Sequence, residues 1–393
     1  MTTRDIAAPR LPWDAADPYP FYETRRRDGD VVWDDTAHAW LILGHGTARD
    51  VLGGRHWISD PRANPAISAA TPMISSAFVD ASMLFTDGPV HDRLRGAVRD
   101  VFSRSFIGGL EDGVESICVD AVSMIPADDL VDVMSQIALP LPVAVIGAWL
   151  GLDPEQCAAL REHSPAIIRI LGGFADQHDL EEGLAASAAL IADFLPAAAD
   201  RRSHPTDDLL SFLAADTDLT LDEVVITAIL IAVAGHETTA NLLGASLVRL
   251  LTPMTDGTRL ADHIDPTDPA VLTELLRLDA PVQATARTAT ADQTVSGIDI
   301  RRGETALVCV AAANRDPAVY RQPDQFRPDR VGPAPLSFGY GAHYCLGAAL
   351  ARLETTAALR HILRRRPALA GDPTWRDTPA IRGPLTIPAV FTT

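Results

Sequence analysis

Cys345 stands in the run Leu336-Ser-Phe-Gly-Tyr-Gly-Ala-His-Tyr-Cys-Leu-Gly347, just before a helix-like stretch, Ala348–Arg364. Gly339, Gly341 and Gly347 let the backbone wrap closely around the sulfur, while amide N–H groups and a helix dipole favour a thiolate. A thiolate in a tight, donor-rich loop is what a metal centre asks of a single ligand. The remaining cysteines, Cys118, Cys157 and Cys309, lie in apolar segments and read as inert packing. No C-x-x-C pair exists, so zinc and iron–sulfur readings lack support. A second cluster, Ala234-Gly-His-Glu-Thr-Thr239, interrupts a long apolar run. Gly235 admits a ligand to the backbone, and Thr238 places a hydroxyl mid-helix. Glu237 is costly to bury unless it pairs or relays protons. The competing reading is that Thr238 bonds back to its own helix and Glu237 pairs with an arginine. A third pair, Glu274 and Arg277, sits at i, i+3 on one helix face, a spacing too common to mean anything alone.

The elements that must position these groups are mostly helical by period and by Ala/Leu/Glu/Arg content. The clearest begins at Thr220, with Glu223 as its capping-box partner, and runs to about Leu251. At roughly 1.5 Å per residue it approaches 50 Å, too long and too apolar for a surface; it must run through the middle. Val31–Trp33 and Ala39–Leu43 read as a hairpin, and Val282–Ile300 with Thr305–Val310 as a second β-like region turned at Gly297 and Gly303. The expected class is mainly α with a smaller β-rich part.

Composition narrows the function. The 33 cations are all arginine, since the sequence contains no lysine. Schiff-base chemistry and a phosphate-binding G-x-x-x-x-G-K loop are therefore absent. With 52 acidic residues the formal charge is 33 − 52 = −19, which argues against a nucleic-acid partner. No apolar signal core opens the chain, and the longest apolar run is broken by His236 and Glu237 before the ~18 to 20 residues a bilayer requires. A soluble, cytoplasmic protein with no membrane partner is expected.

The string Phe338-Gly-x-Gly-x-His343-x-Cys345-x-Gly347 resembles the haem-binding loop of the cytochromes P-450, and further segments extend the resemblance along the chain in order. It implies that fold, with a long central helix over haem b and the Cys-ligand loop beneath it. Residues 1–393 are then one domain without a fused reductase. It also implies that Cys345 ligates the iron, with Phe338 and Gly347 as loop contacts. His91, Arg95, Arg287 and His343 match the haem-propionate partners. Ala234–Thr239 resembles the oxygen-activation motif, with Glu237 and Thr238 delivering protons. Glu274 and Arg277, completed by Arg330 of Phe326-Arg-Pro-Asp-Arg330, resemble a structural brace. The implied activity is monooxygenation of a small apolar substrate by O2, with electrons from a ferredoxin and its reductase, by a monomer. A peroxide-driven peroxygenase is a second reading, disfavoured by the Glu237–Thr238 pair; a haem sensor is a third. Pocket segments are expected at Ala66–Leu84, the lid-like Pro165–His178, Ile229–Ala234, Val282–Thr285 and Ile381–Thr386, with Met73, Phe78, Met83 and Phe85 as the larger apolar groups. Arg169 in the lid reads as a solvated helix-surface arginine, with contact to a substrate carboxylate as the alternative. The electron donor is expected over the Cys345 side, at Arg352, Arg360, His361 and Arg364–Arg366 with Arg93, Arg99 and Arg104.

Overall fold

The computed structural model describes residues 10–70, 76–171, 177–392 of the chain. Its centre is the helix Leu221–Leu251. Thr220 accepts from the Glu223 N–H while the Glu223 carboxylate accepts from the Thr220 N–H, so both ends of the expected capping box are made. Apolar residues on all sides of this helix are buried, because it is wrapped by Pro140–Leu150, Pro154–Leu171, Gln177–Ser203 and Ala348–Arg364. Among the described residues, two helices, Gln177–Ser203 and Leu221–Leu251, are long and apolar enough to cross a membrane by length and composition; the second is the core helix.

The expected hairpin forms as Val31–Asp34 and Ala39–Ile42, pairing Trp33 with Trp40. Ala39–Ile42 then pairs in parallel with Thr305–Val308, which pairs antiparallel with Thr285–Ala289; Trp57–Ile58 closes a five-stranded sheet. Gly297 and Gly303 take positive φ at the two turns assigned to them. The second sheet region is thus four short strands, Thr285–Ala289, Gln293–Val295, Ile298–Ile300 and Thr305–Val308.

Three C-terminal pieces matter for the site. Thr374–Trp375 pairs with Pro384–Thr386, and the loop between them docks on the 280–283 segment through Val282 opposite Ile381. The lid-like region is two helices, Pro154–Leu171 and Gln177–Ser203, with residues 172–176 outside the described set, as is Met73. Arg169 is not simply solvated: it pairs there with Asp179 and Glu182.

Candidate active site

The cysteine loop is built by glycine conformations and one close approach. Gly339 and Gly341 have φ of +72° and +77°. A Cβ on Gly341 would lie 2.7 Å from the Leu52 carbonyl oxygen, so only glycine lets the loop pack on the helix His45–Gly53. Gly347 is different: it has φ −79° and open space where a side chain would go, so neither conformation nor protein packing requires glycine there. The Cys345 N–H donates to the Phe338 carbonyl at 2.8 Å, closing the loop. Phe338 itself packs against Leu242, Leu272 and Leu276, with the Arg352 guanidinium 5.3 Å from its ring.

The amides and helix dipole expected to favour a thiolate meet an opposing effect. Burial pushes the Cys345 thiol up, outweighing the Gly347 N–H and the Arg95 guanidinium, which pull it down. A metal cation bound to the sulfur reverses that balance, since a coordinating thiol is deprotonated outright.

Glu274, Arg277 and Arg330 come together in the fold. Arg277, 2% exposed, grips Glu274 with two bonds of 2.7 Å, and Arg330 donates to the same carboxylate at 3.2 Å. Arg277 also donates to the Asn314 and Pro323 carbonyls. Asn314, which sequence reasoning missed, carries this order into the loop. Its side chain accepts from the Leu336 N–H at 2.7 Å and donates to the Ser337 hydroxyl, which donates to the Leu276 carbonyl. No spacing in the sequence marks it, and its full burial after Val310–Ala313 is a property of the fold.

Basic groups converge on one side of this loop. The His91 and His343 rings are 4.4 Å apart, and His343 Nε2 lies 2.9 Å from Asp87. Burial drives His343 below its ordinary value, against the pull of Asp87; Arg287 and His91 add to the lowering. Burial works to raise Asp87, yet His343, the Ser59 N–H and Arg287 hold it low. Arg287 is buried, donating to the Ala286 carbonyl and the Thr285 hydroxyl, and Arg95 donates to the Tyr344 carbonyl at 2.6 Å. His91 Nε2 is buried with no partner among the described residues. Asp87 was not singled out from sequence; its place just before the helix Gly88–Arg99 was the hint.

On the central helix, burial is interrupted mid-length at Leu230, Ala234, Gly235 and Thr238. These lie at i, i+4, i+5 and i+8, a single face, so the helix turns one side toward an opening inside the molecule. The Thr238 hydroxyl donates to the Ala234 carbonyl at 2.7 Å. Glu237 points elsewhere: it is fully buried and accepts from Arg376 at 2.7 Å. Both halves of the competing reading are therefore present in the geometry. Of the other pocket residues, Val282 is partly buried and Phe78 half-exposed, whereas Met83 is buried in the main core rather than forming an open wall.

These features fit a haem. One unpartnered buried histidine nitrogen and a buried arginine await carboxylates, a lone cysteine offers one soft ligand, and an opened helix face leaves room opposite.

The expected donor-docking face needs revision. Arg360 and His361 are tied to Glu115, Arg93 to Glu223, and Arg365 to the Val122 and Ile125 carbonyls. What opens beside Cys345 is a depression of about 510 Å³ lined by Arg95, Arg99, Arg104 and Arg352, with Asp100 as its acidic residue.

Comparison with known proteins agrees with the geometry. The family model described as Cytochrome P450 matches residues 266–366. Cytochrome P450 monooxygenase PikC of Streptomyces venezuelae is 34% identical over 392 residues, covering 95% of this chain and 91% of PikC. The 6-deoxyerythronolide B hydroxylase of Saccharopolyspora erythraea (strain ATCC 11635 / DSM 40517 / JCM 4748 / NBRC 13426 / NCIMB 8594 / NRRL 2338) is 31% identical over 362 residues, 88% of each chain. The crystal structure of P450BioI in complex with an acyl carrier protein ligated to hexadec-9Z-enoic acid matches with a TM-score of 0.87 at 30% identity. That match covers 95% of this chain and 98% of the other.

Proposed function

Because the chain belongs to the cytochrome P450 family of haem b monooxygenases, we propose that it inserts one oxygen atom of O2 into an apolar secondary-metabolite substrate. A relative named 6-deoxyerythronolide B hydroxylase supports oxygen insertion into a secondary metabolite, and the packing of Val282 on the main apolar core supports an apolar one. Haem, when bound, supplies the iron centre at which O2 is activated by two electrons and two protons.

The chain's own residues hold, orient and protonate. Cys345 gives the soft sulfur ligand, fixed by its N–H to Phe338 and by the Glu274–Arg277–Arg330 brace acting through Asn314. Phe338 and Gly347 flank that ligand. His91, Arg95, Arg287 and His343 supply cationic and hydrogen-bonding partners for the two propionates. Ala234 and Gly235 would leave room for a ligand on the opened face of the central helix, and the surrounding apolar helix would keep bulk water out. Thr238 holds its hydrogen on the Ala234 carbonyl, so its oxygen lone pairs face the opening and hold a proton-bearing water there. Glu237, adjacent, is the acid that replenishes it. The chain works as one domain in the cytoplasm, drawing electrons from a separate ferredoxin and its reductase.

The carrying observation is the single opened face of the central helix at Ala234, Gly235 and Thr238. Thr238→Ala is expected to retain haem and substrate binding while diverting most reducing equivalents to peroxide. Unchanged coupling of electron use to product would remove Thr238 from proton delivery.

A further inference from the structure

Past the opened face, toward the C-terminal end of the central helix, the surface sinks into a depression of about 490 Å³. Residues 245–254 form one side, and Leu260, Asp279, Phe326, Trp375 and Arg382 close the others. From Ala234 to Ala245 the helix rises about 16 Å, so this depression is separate from the opening beside Thr238. Val248, Met254, Leu260, Phe326 and Trp375 make its walls largely apolar.

Among the described residues, the charged groups lining it are Arg249, Arg382 and Asp279. Arg249 donates through Nε and Nη2 to the two carboxylate oxygens of Asp279. Arg382 donates through Nε to the Ala16 carbonyl at 2.9 Å and through Nη1 to Asp279 at 3.5 Å. Arg249 Nη1 and Arg382 Nη2 make no hydrogen bond among the described residues. The Arg382 guanidinium lies 3.9 Å from the centre of the Trp375 ring, a contact that fixes its place. The two arginine side chains are only 24% and 10% exposed.

The charges do not balance. Two guanidinium groups meet one carboxylate, and the helix end adds about half a negative charge, which leaves an excess of about half a positive charge. Asp256 and Asp262 stand nearby in sequence but do not line the depression; Asp256 bonds to Thr258 and Asp262 to Arg259. A partly buried cation without a full counter-charge is costly, and an anion set on its free N–H groups offsets that cost. Size selects the occupant. A volume of about 490 Å³ falls within the ~300–1,000 Å³ of small-molecule sites, whereas a stable protein partner asks for a face of about 800 Å².

We propose that this depression binds a small organic monocarboxylate with an apolar, ring-sized body. The carboxylate sits on the free ends of Arg249 and Arg382, and the ring lies among Met254, Leu260 and Phe326.

The test uses the haem-loaded protein with its substrate pocket filled by a saturating azole inhibitor. Naphthalene-1-carboxylate and naphthalene-1-carboxamide, alike in shape, are titrated separately and followed by ligand-observed NMR. The carboxylate is expected to bind on the order of tenfold more tightly, the advantage of a charge-assisted over a neutral hydrogen bond. That preference should shrink in 1 M salt. Arg249→Gln should remove most of it while leaving amide binding unchanged. Thr252→Trp, which fills the depression from an exposed position after the helix, should abolish binding of both. Each variant is first checked for unaltered haem content. Equal affinity for carboxylate and amide means apolar adsorption only and overturns the proposal. So does carboxylate binding that survives Thr252→Trp, which places the probe elsewhere. A depression that takes neither probe, but whose filling by Thr252→Trp changes the sedimentation of the protein, is a contact between copies of the chain and overturns it too.

Discussion

At Cys345 two effects of opposite sign meet, and their sizes decide what the residue is for. Burial raises the thiol, while one N–H and one guanidinium lower it, and burial wins. A site evolved to make a free nucleophilic thiolate would have the reverse balance, as at exposed, electropositive cysteines. Burial raises the thiols of Cys118 and Cys309 in the same way, so what sets Cys345 apart is the glycine-turned loop around it and the N–H and guanidinium aimed at its sulfur. Replacing sulfur by oxygen keeps the size and removes the softness. Cys345→Ser is therefore expected to abolish the red-shifted Soret band of the ferrous–CO complex, the optical mark of thiolate ligation. A variant that kept that band would place the ligand elsewhere. The same residue shows what local reading misses: glycines and an oncoming helix are visible in sequence, but the desolvation that overrides them is a property of the packed whole.

The elements around the site differ in how much of them the sequence declares. The central helix is announced by a local signal, Thr220 and Glu223 three apart, and its bounds follow. The hairpin at Val31–Ile42 is equally local. The wide turn Met134–Ala138 is not, although its cause can be named afterwards. Pro140 follows it, has no N–H, and its ring crowds the carbonyl four residues back, so the chain widens and Leu139 bonds to Met134. Arg376 as partner of Glu237, 139 residues away, has no spacing to betray it. Nor has Asn314 as the link between brace and loop. The loop offers the clearest element-scale test. At Gly341 a positive φ and a 2.7 Å approach to the Leu52 carbonyl both exclude a side chain. Gly341→Ala is expected to cost about 1–3 kcal/mol of stability, the range for such backbone strain. Haem retention, read as the ratio of Soret to protein absorbance, should fall with it. Gly347→Ala, where neither φ nor protein packing objects, should cost well under half as much stability; equal losses in urea melts would refute the steric account of the loop.

Over the whole molecule the charge is lopsided. The chain carries −19 formally, yet the depression beside Cys345 gathers Arg95, Arg99, Arg104 and Arg352 around one acid, Asp100. Elsewhere the arginines are spent inward: Arg360 on Glu115, Arg365 on helix-end carbonyls, Arg249 and Arg382 on Asp279. The sequence shows the arginines but not which are paired, so of the docking face read over Arg352, Arg360, His361, Arg364–Arg366, Arg93, Arg99 and Arg104, the part at Arg99, Arg104 and Arg352 is the one that lines the depression beside Cys345. A basic depression on an acidic body steers an acidic donor to one orientation, because the rest of the surface repels it. Screening shortens from about 10 Å at 0.1 M salt to about 3 Å at 1 M, so the steering term fades across that range. Second-order reduction by a small acidic ferredoxin is accordingly expected to slow on the order of tenfold between those salts, within the range that electrostatic steering contributes. Neutralising Arg99 and Arg104, both exposed and neither assigned to the haem, should lower the rate at low salt and flatten its salt dependence. The matched change at Arg364 and Arg366, which lie outside the depression, should do much less. A rate indifferent to salt and to Arg99 and Arg104 would exclude this face as the docking surface, whatever the haem chemistry within.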